Sequence, residues 1–347
     1  MKKTIVALAV LGSFAGIAAA QSSVTLFGIA DIAVRHGMSS GQSLNSVETG
    51  GLSTSRFGVR GQEDLGGGMK ASFWLEGAAN FDNGTADTTA FWARRSTVSL
   101  VGSFGEARLG RFKSSERLLF EDFDPSSTTG IGSTAALINR LGATATTGAP
   151  AGTSIAVDLS RFNNMATYIL PGNLGGFYGS VDKSFKEGVD GAQMTSARIG
   201  FKASGFDISS AMSSTDAKGL QFKMATTAGS YDFGVAKAVL MYTTNSFGSP
   251  SQKQVTGAVI VPFGANKFYA SYTKSTANAA AKLIAGVGDA THMALSYQHS
   301  LSKRTALYTT YAKITNTGLG KFAVGGSPAV TAGQSSSAYD VGVRHSF

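Results

Sequence analysis

A sixteen-stranded antiparallel transmembrane β-barrel, with a long third loop folded into its lumen, is the fold class this sequence predicts. Three observations predict it. Apolar and polar residues alternate with period two in run after run of the chain. Short Gly-rich turns alternate with long connections rich in Ser, Thr, Gly and Ala. Hydrophobic residues make up 43% of the chain, yet mean hydropathy is only +0.06, as expected where an apolar face is hidden in alternation. The 44 glycines among 347 residues argue against a mainly helical chain, because a mid-helix Gly costs about 1 kcal/mol relative to Ala. The absence of cysteine removes disulfide frameworks, thiolate metal sites and thiol nucleophiles.

The first residues read as an export signal. Met1-Lys2-Lys3 is basic, Thr4 to Ile17 is apolar and small, and Ala18-Ala19-Ala20 supplies an Ala-x-Ala cleavage site. A membrane anchor is the alternative, but the stretch falls short of the roughly 20 residues a span needs. Residues 1–20 are therefore expected to be removed, leaving a barrel domain over 21–347. Sequencing of the mature protein should begin at Gln21, and a start at Met1 would overturn the export reading. No run of about 18 apolar residues follows. The chain is then either exported and soluble, or a barrel.

Strand patterning decides between these. Along Ala338–Phe347, Tyr339, Val341, Val343, His345 and Phe347 share one face, opposite Ala338, Asp340, Gly342, Arg344 and Ser346. Phe57 and Val59 lie opposite Arg56, Gly58 and Arg60. Phe73, Leu75 and Gly77 lie opposite Trp74, Glu76, Ala78 and Asn80. Strands are expected near 23–35, 55–63, 69–81, 92–102, 105–111, 163–170, 177–185, 196–203, 206–214, 219–228, 233–242, 252–261, 267–274, 290–300, 306–315 and 337–347. The number is even, as single-chain bacterial barrels require, and most runs reach the roughly 9–11 residues of a tilted span. Short turns such as Leu65-Gly66-Gly67-Gly68 and Phe263-Gly264-Ala265-Asn266 alternate with long stretches such as 36–54, 276–289 and 316–336. An up-and-down sheet with its long loops at one end gives that rhythm. A soluble β-sandwich or propeller would have to explain a terminal strand with an apolar outer face and the lack of blade-length repeats.

One connection breaks the rhythm. Nearly fifty residues, Phe112 to Ser160, separate two strand candidates. Structureless loops beyond about 15 residues are usually functional or disordered. This one carries Arg117, Phe120, Glu121, Asp122, Phe123 and Asp124, so a loop folded into the lumen is expected, with a floppy surface loop as the alternative.

The chain resembles the general porins of Gram-negative bacteria, in particular the anion-selective porins of β-proteobacteria related to the neisserial porins. The likeness spans the mature chain. It includes Ser23-Val24-Thr25-Leu26-Phe27-Gly28, Ser55-Arg56-Phe57-Gly58-Val59-Arg60-Gly61, Glu63-Asp64-Leu65-Gly66-Gly67-Gly68, Arg94-Arg95-Ser96-Thr97-Val98-Ser99-Leu100, Gly105-Glu106-Ala107-Arg108-Leu109-Gly110-Arg111 and the terminal Val341-Gly342-Val343-Arg344-His345-Ser346-Phe347. The resemblance implies a homotrimer in the outer membrane, with subunit contacts on the strands nearest the chain ends and outer-membrane lipids around the rest. It also implies a water-filled channel for small anions and hydrophilic solutes. The third loop forms its eyelet, where wall arginines face loop carboxylates. Those arginines map onto Arg56, Arg94 and Arg161. Strict alternation from Val98 and Leu100 would turn Arg95 inward instead of Arg94, so Arg95 is a second candidate. Glu76 on the wall and Glu121, Asp122 and Asp124 on the loop are the acidic candidates. The Pro-Glu-Phe-Gly motif of enterobacterial porins is missing, which leaves open which carboxylates face the lumen. Arg60, Arg108 and Arg111 are further wall candidates. The resemblance gives Phe347 a role in barrel closure and in recognition by the outer-membrane insertion machinery.

The formal charge of +9, two lower once Lys2 and Lys3 are removed, favours anions in a water-filled pore. No nucleic-acid motif accompanies it. His36, His292, His299 and His345 lack metal-ligand spacing, and there is no Gly-x-Ser-x-Gly elbow or phosphate loop. No cofactor or metal is therefore expected. An adhesin or structural barrel, and a barrel hydrolase, are the competing classes.

Overall fold

The computed structural model describes residues 23–87, 90–138, 141, 160–186, 193–217 and 220–347. The expected signal (1–20) and residues 142–159 of the long connection lie outside them. Seventeen strands among the described residues form a single sheet. They are β1 (Ser23–Ser39), β2 (Gln42–Thr49), β3 (Arg56–Gly66), β4 (Met69–Ala78), β5 (Arg95–Gly102), β6 (Gly105–Lys113), β7 (Arg161–Ile169), β8 (Phe177–Ser184), β9 (Gln193–Ala203), β10 (Phe206–Ala217), β11 (Leu220–Asp232), β12 (Lys237–Phe247), β13 (Ser251–Phe263), β14 (Asn266–Ala277), β15 (Ala290–Ser300), β16 (Thr305–Asn316) and β17 (Ser335–Ser346). From β3 onward each pairs antiparallel with its successor, and β17 returns to β1 with Ile29 opposite Ser346 and Ser39 opposite Ser336. The ring from β3 round to β17 and β1 closes on itself, the condition for spanning hydrocarbon, while β2 pairs with β1 alone.

Sixteen positions around the barrel accommodate seventeen strands because β2 and β3 share one. Ser23–Ile29 of β1 pairs with β3, and Ile32–Ser39 pairs with β2. Sequence patterning reads 36–54 as a loop; the structure corrects this. Ser40 and Gly41 both have positive φ, 50° and 79°, and join β1 to β2 as a two-residue hairpin whose twist matches the strands. Between β2 and β3 the chain leaves the ladder and wraps around Asp31. Its carboxylate accepts the N–H groups of Gly51, Leu52 and Ser53 (3.0, 3.0 and 2.6 Å) and the Tyr308 hydroxyl (2.6 Å).

Burial follows the alternation with inverted polarity. Val98 is 63% exposed while its neighbour Thr97 is 4% exposed. The same contrast sets exposed Leu240, Val255, Tyr311 and Val341 against buried Thr226, Thr243, Gln254, Thr256 and Thr310. Apolar side chains outside and polar ones inside suit a wall with lipid around it and water within.

After β6 the chain forms helix α1 (Ser115–Phe123) and a 3₁₀ turn (Thr134–Leu137). Ser114 caps α1, its Oγ accepting the Arg117 N–H at 3.2 Å. Leu119, Phe120 and Phe123 pack with Phe222, Met224, Val239 and Met241 on the buried face of β11 and β12. Ile131 and Leu137 pack against Tyr269, Ala294 and Ile314. A second short helix, α2 (Ala279–Lys282), lies in the connection from β14 to β15.

Candidate functional site

The sequence-predicted arginines converge at one place. Arg56 opens β3, Arg94 immediately precedes β5 and Arg161 opens β7. Glu76 lies between the first two. Its Oε1 accepts the Arg94 Nε at 2.6 Å and pairs with the Arg56 Nη1 at 3.5 Å, and its Oε2 accepts the Trp74 indole at 3.2 Å. Arg161 donates to the Arg94 carbonyl at 2.8 Å. Glu76 is therefore the counterion that allows two guanidinium groups to sit side by side, with both oxygens engaged.

Both candidates of the Arg94/Arg95 pair point to the inner side. Strict alternation begins at Arg95, the first residue of β5, which shares a face with Thr97 and bonds its hydroxyl at 2.9 Å. Arg94 lies outside the ladder and is free of that constraint. Arg95 stacks between Trp74 and Phe112, 4.3 and 4.5 Å from the ring centroids. Arg60 lies over Trp74 (4.9 Å) and Arg108 over Phe112 (4.6 Å). These contacts form a ladder of guanidinium and aromatic groups that descends from Arg95 towards the short turns. Arg111 is held by the Ala93 carbonyl (2.6 Å) and the Asn163 side chain (2.7 Å).

The loop supplies the opposite wall. Glu121 on α1 accepts the Arg117 Nε at 3.0 Å and pairs with the Lys113 ammonium. Burial acts to raise the Glu121 pKa, but those two cations outweigh it and hold the carboxyl below its ordinary range. Lys113 stands opposite Arg161 in the β6–β7 ladder, a like-charge pairing that normally destabilises a sheet. The register shifts there between Gly110 and Phe112, beside Asn164 with φ of 53°. Such an irregularity re-aims side chains at the end of a ladder.

Between loop and wall lies a cavity of about 480 Å³. Seven cationic residues line it, Arg56, Arg94, Lys113, Arg117, Arg161, Lys267 and Arg344, against one carboxylate, Glu121. Lys113, Arg117, Lys267 and Arg344 were not predicted as site residues. They come from three distant segments; alternation hinted at Arg344, on the polar face of the last strand, and the charged start of the long connection at Arg117.

The other loop carboxylates sit elsewhere. Asp122 pairs with Arg198 on β9 at 2.6 Å. Asp124 is 3% exposed and accepts the N–H groups of Ser126, Thr128 and Thr134 (3.0, 3.2 and 3.1 Å), so it organises the loop internally. Sequence reading missed Glu116. The α1 N-terminus docks on the wall through Ser115 N–H to Asp182 (2.5 Å) and Glu116 N–H to Ser196 (3.1 Å), and the buried Glu116 carboxyl accepts the Thr226 hydroxyl at 2.8 Å.

Burial raises the Glu116 pKa to about 7. The docked carboxyl keeps its proton up to that pH, whereas a solvated one loses it near 4.5. Between pH 4.5 and 7 the undocked carboxyl ionises while the docked one does not, so docking weakens as pH rises through that window and stays at its weakest above pH 7. Removing that charge should matter most at high pH. Glu116→Gln is expected to slow amide exchange in α1 roughly tenfold relative to wild type at pH 8, with the gap closing by about pH 5. Equal rates at pH 8 would refute this.

A profile of Gram-negative porins matches residues 7–319. The chain belongs to the Gram-negative porin family. As a porin it is an outer-membrane protein that forms a diffusion channel. It is 37% identical to outer membrane porin protein 32 of Delftia acidovorans over the whole of both chains. It is 28% identical to an outer membrane porin protein of Bordetella pertussis, again over both whole chains. The major outer membrane protein P.IB of Neisseria meningitidis is 39% identical over 33% of this porin and 35% of that protein. Among solved structures, an anion-selective porin from Comamonas acidovorans superposes with a TM-score of 0.82 at 32% identity, over 94% of this porin and all of that chain. OmpT of Vibrio cholerae in its trimer form shares the fold, with a TM-score of 0.67 at 13% identity over 94% of this porin and 99% of that chain.

Proposed function

We propose that this porin is an anion-preferring general diffusion channel for small hydrophilic solutes, and that the cavity beside α1 is its constriction. The observation that carries this reading is the lining of seven cations against one carboxylate. A cleft lined by one sign of charge with low-dielectric walls concentrates counter-ions and raises their rate of capture. The segment from α1 to the 3₁₀ turn narrows the lumen by packing on the buried face of β10–β16. The arginine–aromatic ladder then guides anions onward to the periplasmic mouth. The stacking rings hold each guanidinium in place, and Arg108 is also paired with Glu106 at 2.8 Å. The name of the Comamonas porin supports the same preference.

The channel is further proposed to be a homotrimer assembled through the strands nearest the chain ends. The trimeric form of OmpT is a precedent on the same fold. Light scattering in mild detergent should give the mass of three chains, dissociating on heating; a single-chain mass would count against assembly. For the channel itself, planar-bilayer recording under a salt gradient should give a reversal potential on the anion side. A potential on the cation side would refute the constriction reading.

A further inference from the structure

The cations of the lumen cavity differ in how they are compensated. Arg56 and Arg94 share Glu76, and Lys113 and Arg117 share Glu121. Lys267 on β14 and Arg344 on β17 line the same cavity and pair with no carboxylate among the described residues. The Arg344 Nη2 donates to the Ser346 hydroxyl at 2.9 Å, but its Nε is buried without a hydrogen-bond partner among those residues. Asp31 stands opposite Arg344 in the β1–β17 ladder, yet its oxygens are taken by three backbone N–H groups and Tyr308. Lys267 makes no hydrogen bond among the described residues, and the charged group that acts on it is Arg344. Two such like charges repel, at a cost that an anion held between them removes.

The same cavity carries uncharged polar groups. Ser53, Thr54 and Ser127 contribute hydroxyls, and Gln298, opposite Lys267 in the β14–β15 ladder, contributes an amide. None of these four side chains bonds another described residue, so their donors and acceptors stay available. Ser127 and Thr128 are consecutive non-glycine residues with φ of 50° and 59°, a left-handed conformation that costs energy and gathers at binding sites. Asp124 holds it: the Ser127 N–H donates to the Asp124 carbonyl at 2.8 Å and the Thr128 N–H to its carboxylate at 3.2 Å. The Ser127 side chain is left exposed at the cavity. Among the described residues Leu52 and Pro125 are the only apolar lining groups, and no aromatic ring lines the cavity.

We propose that the cavity is a recognition site for sugar phosphates, in which Lys267 and Arg344 hold the phosphate while Gln298, Ser53, Thr54 and Ser127 hydrogen-bond the sugar hydroxyls. This rests on the constriction reading and narrows it from anions in general to one class. A phosphate ester presents three terminal oxygens, enough to engage an ammonium and a guanidinium at once. Lys267 and Arg344 stand three strands apart, roughly 14 Å between backbones, and two long side chains converging on one phosphate cover that span. A simple inorganic anion would engage the cations and leave the amide and hydroxyls unused. A nucleotide brings a base that binds by stacking on aromatic surface, which this lining lacks. The cavity, about 480 Å³, falls within the roughly 300–1,000 Å³ of small-molecule sites.

The test is single-channel recording of the full mature chain in chloride, with glucose 6-phosphate, inorganic phosphate or glucose added at one pH and ionic strength. Glucose 6-phosphate should interrupt the current at a roughly tenfold lower concentration than inorganic phosphate, the worth of two added hydrogen bonds. Glucose alone should not block. Lys267→Gln/Arg344→Gln should raise the half-blocking concentration of both phosphates roughly tenfold. Ser127→Ala/Gln298→Ala should bring glucose 6-phosphate to the level of inorganic phosphate. Heat-modifiability confirms folding of each variant, and the wild-type comparison needs no variant. Equal block by the two phosphates, or an unaltered glucose 6-phosphate value in either double variant, would overturn the sugar-phosphate assignment. Absence of block with a reversal potential still on the anion side would overturn it too and leave the constriction reading standing. A potential on the cation side would take both down.

Discussion

Arg161→Ala should move the reversal potential towards zero while leaving trimer yield near normal. The Arg161 side chain lines the cavity, and its Nε donates to the Arg94 carbonyl at 2.8 Å. A unit charge about 5 Å from a permeant ion in water is worth roughly 0.8 kcal/mol, or about fourfold in local concentration. Anions lose that attraction and cations lose the matching repulsion. The anion-to-cation preference should therefore fall by something between fourfold and about fifteenfold at low salt. At 1 M salt, where the Debye length is about 3 Å, the effect should shrink strongly. Glu76→Gln should push the other way and strengthen anion preference, because it removes the compensating charge. An unchanged reversal potential in Arg161→Ala at low salt would sink the constriction assignment.

Much of this site was legible in the sequence, and the reasons for the remainder are physical. Period-two alternation locates strands well where one face meets lipid, as along β16 and β17. It fails for β2, because Gln42–Thr49 is mostly polar; the informative signal there was the Ser40-Gly41 turn. Arg56, Arg94 and Arg161 came from the family resemblance, and all three line the cavity. The conflict over Arg94 and Arg95 dissolves once β5 is seen to begin at Arg95, because alternation constrains only residues inside a ladder. Lys113, Arg117, Lys267 and Arg344 could not be grouped from sequence, since closure of the barrel and packing of α1 bring them together. Asp124 looked like a lumen carboxylate because its neighbours in sequence are acidic and aromatic. Its oxygens are consumed by the backbone N–H groups of its own loop.

Deleting Phe347 should have the opposite signature to Arg161→Ala: a severalfold loss of inserted trimer, with unchanged conductance and selectivity in the channels that form. The closing seam ends at this residue. Gly28 N–H donates to the Phe347 carbonyl at 3.0 Å and the Phe347 N–H donates back to Gly28 at 3.1 Å. The ring then folds over Gly28 on the outer face, so closely that a Cβ on Gly28 would lie 2.2 Å from its tip. Removing Phe347 opens both hydrogen bonds at once, and an unsatisfied backbone group exposed to hydrocarbon costs several kcal/mol. Gly28→Ala separates the two contributions. It keeps the hydrogen-bonded pair but forces the ring away, so it should lower yield less than the deletion does. If the terminal aromatic acts through ring packing alone, the two variants will match. If neither changes the yield of heat-dissociable trimer, closure at β1–β17 is secured by the remaining seam from Ile29–Ser346 to Ser39–Ser336, and the role assigned to Phe347 is wrong.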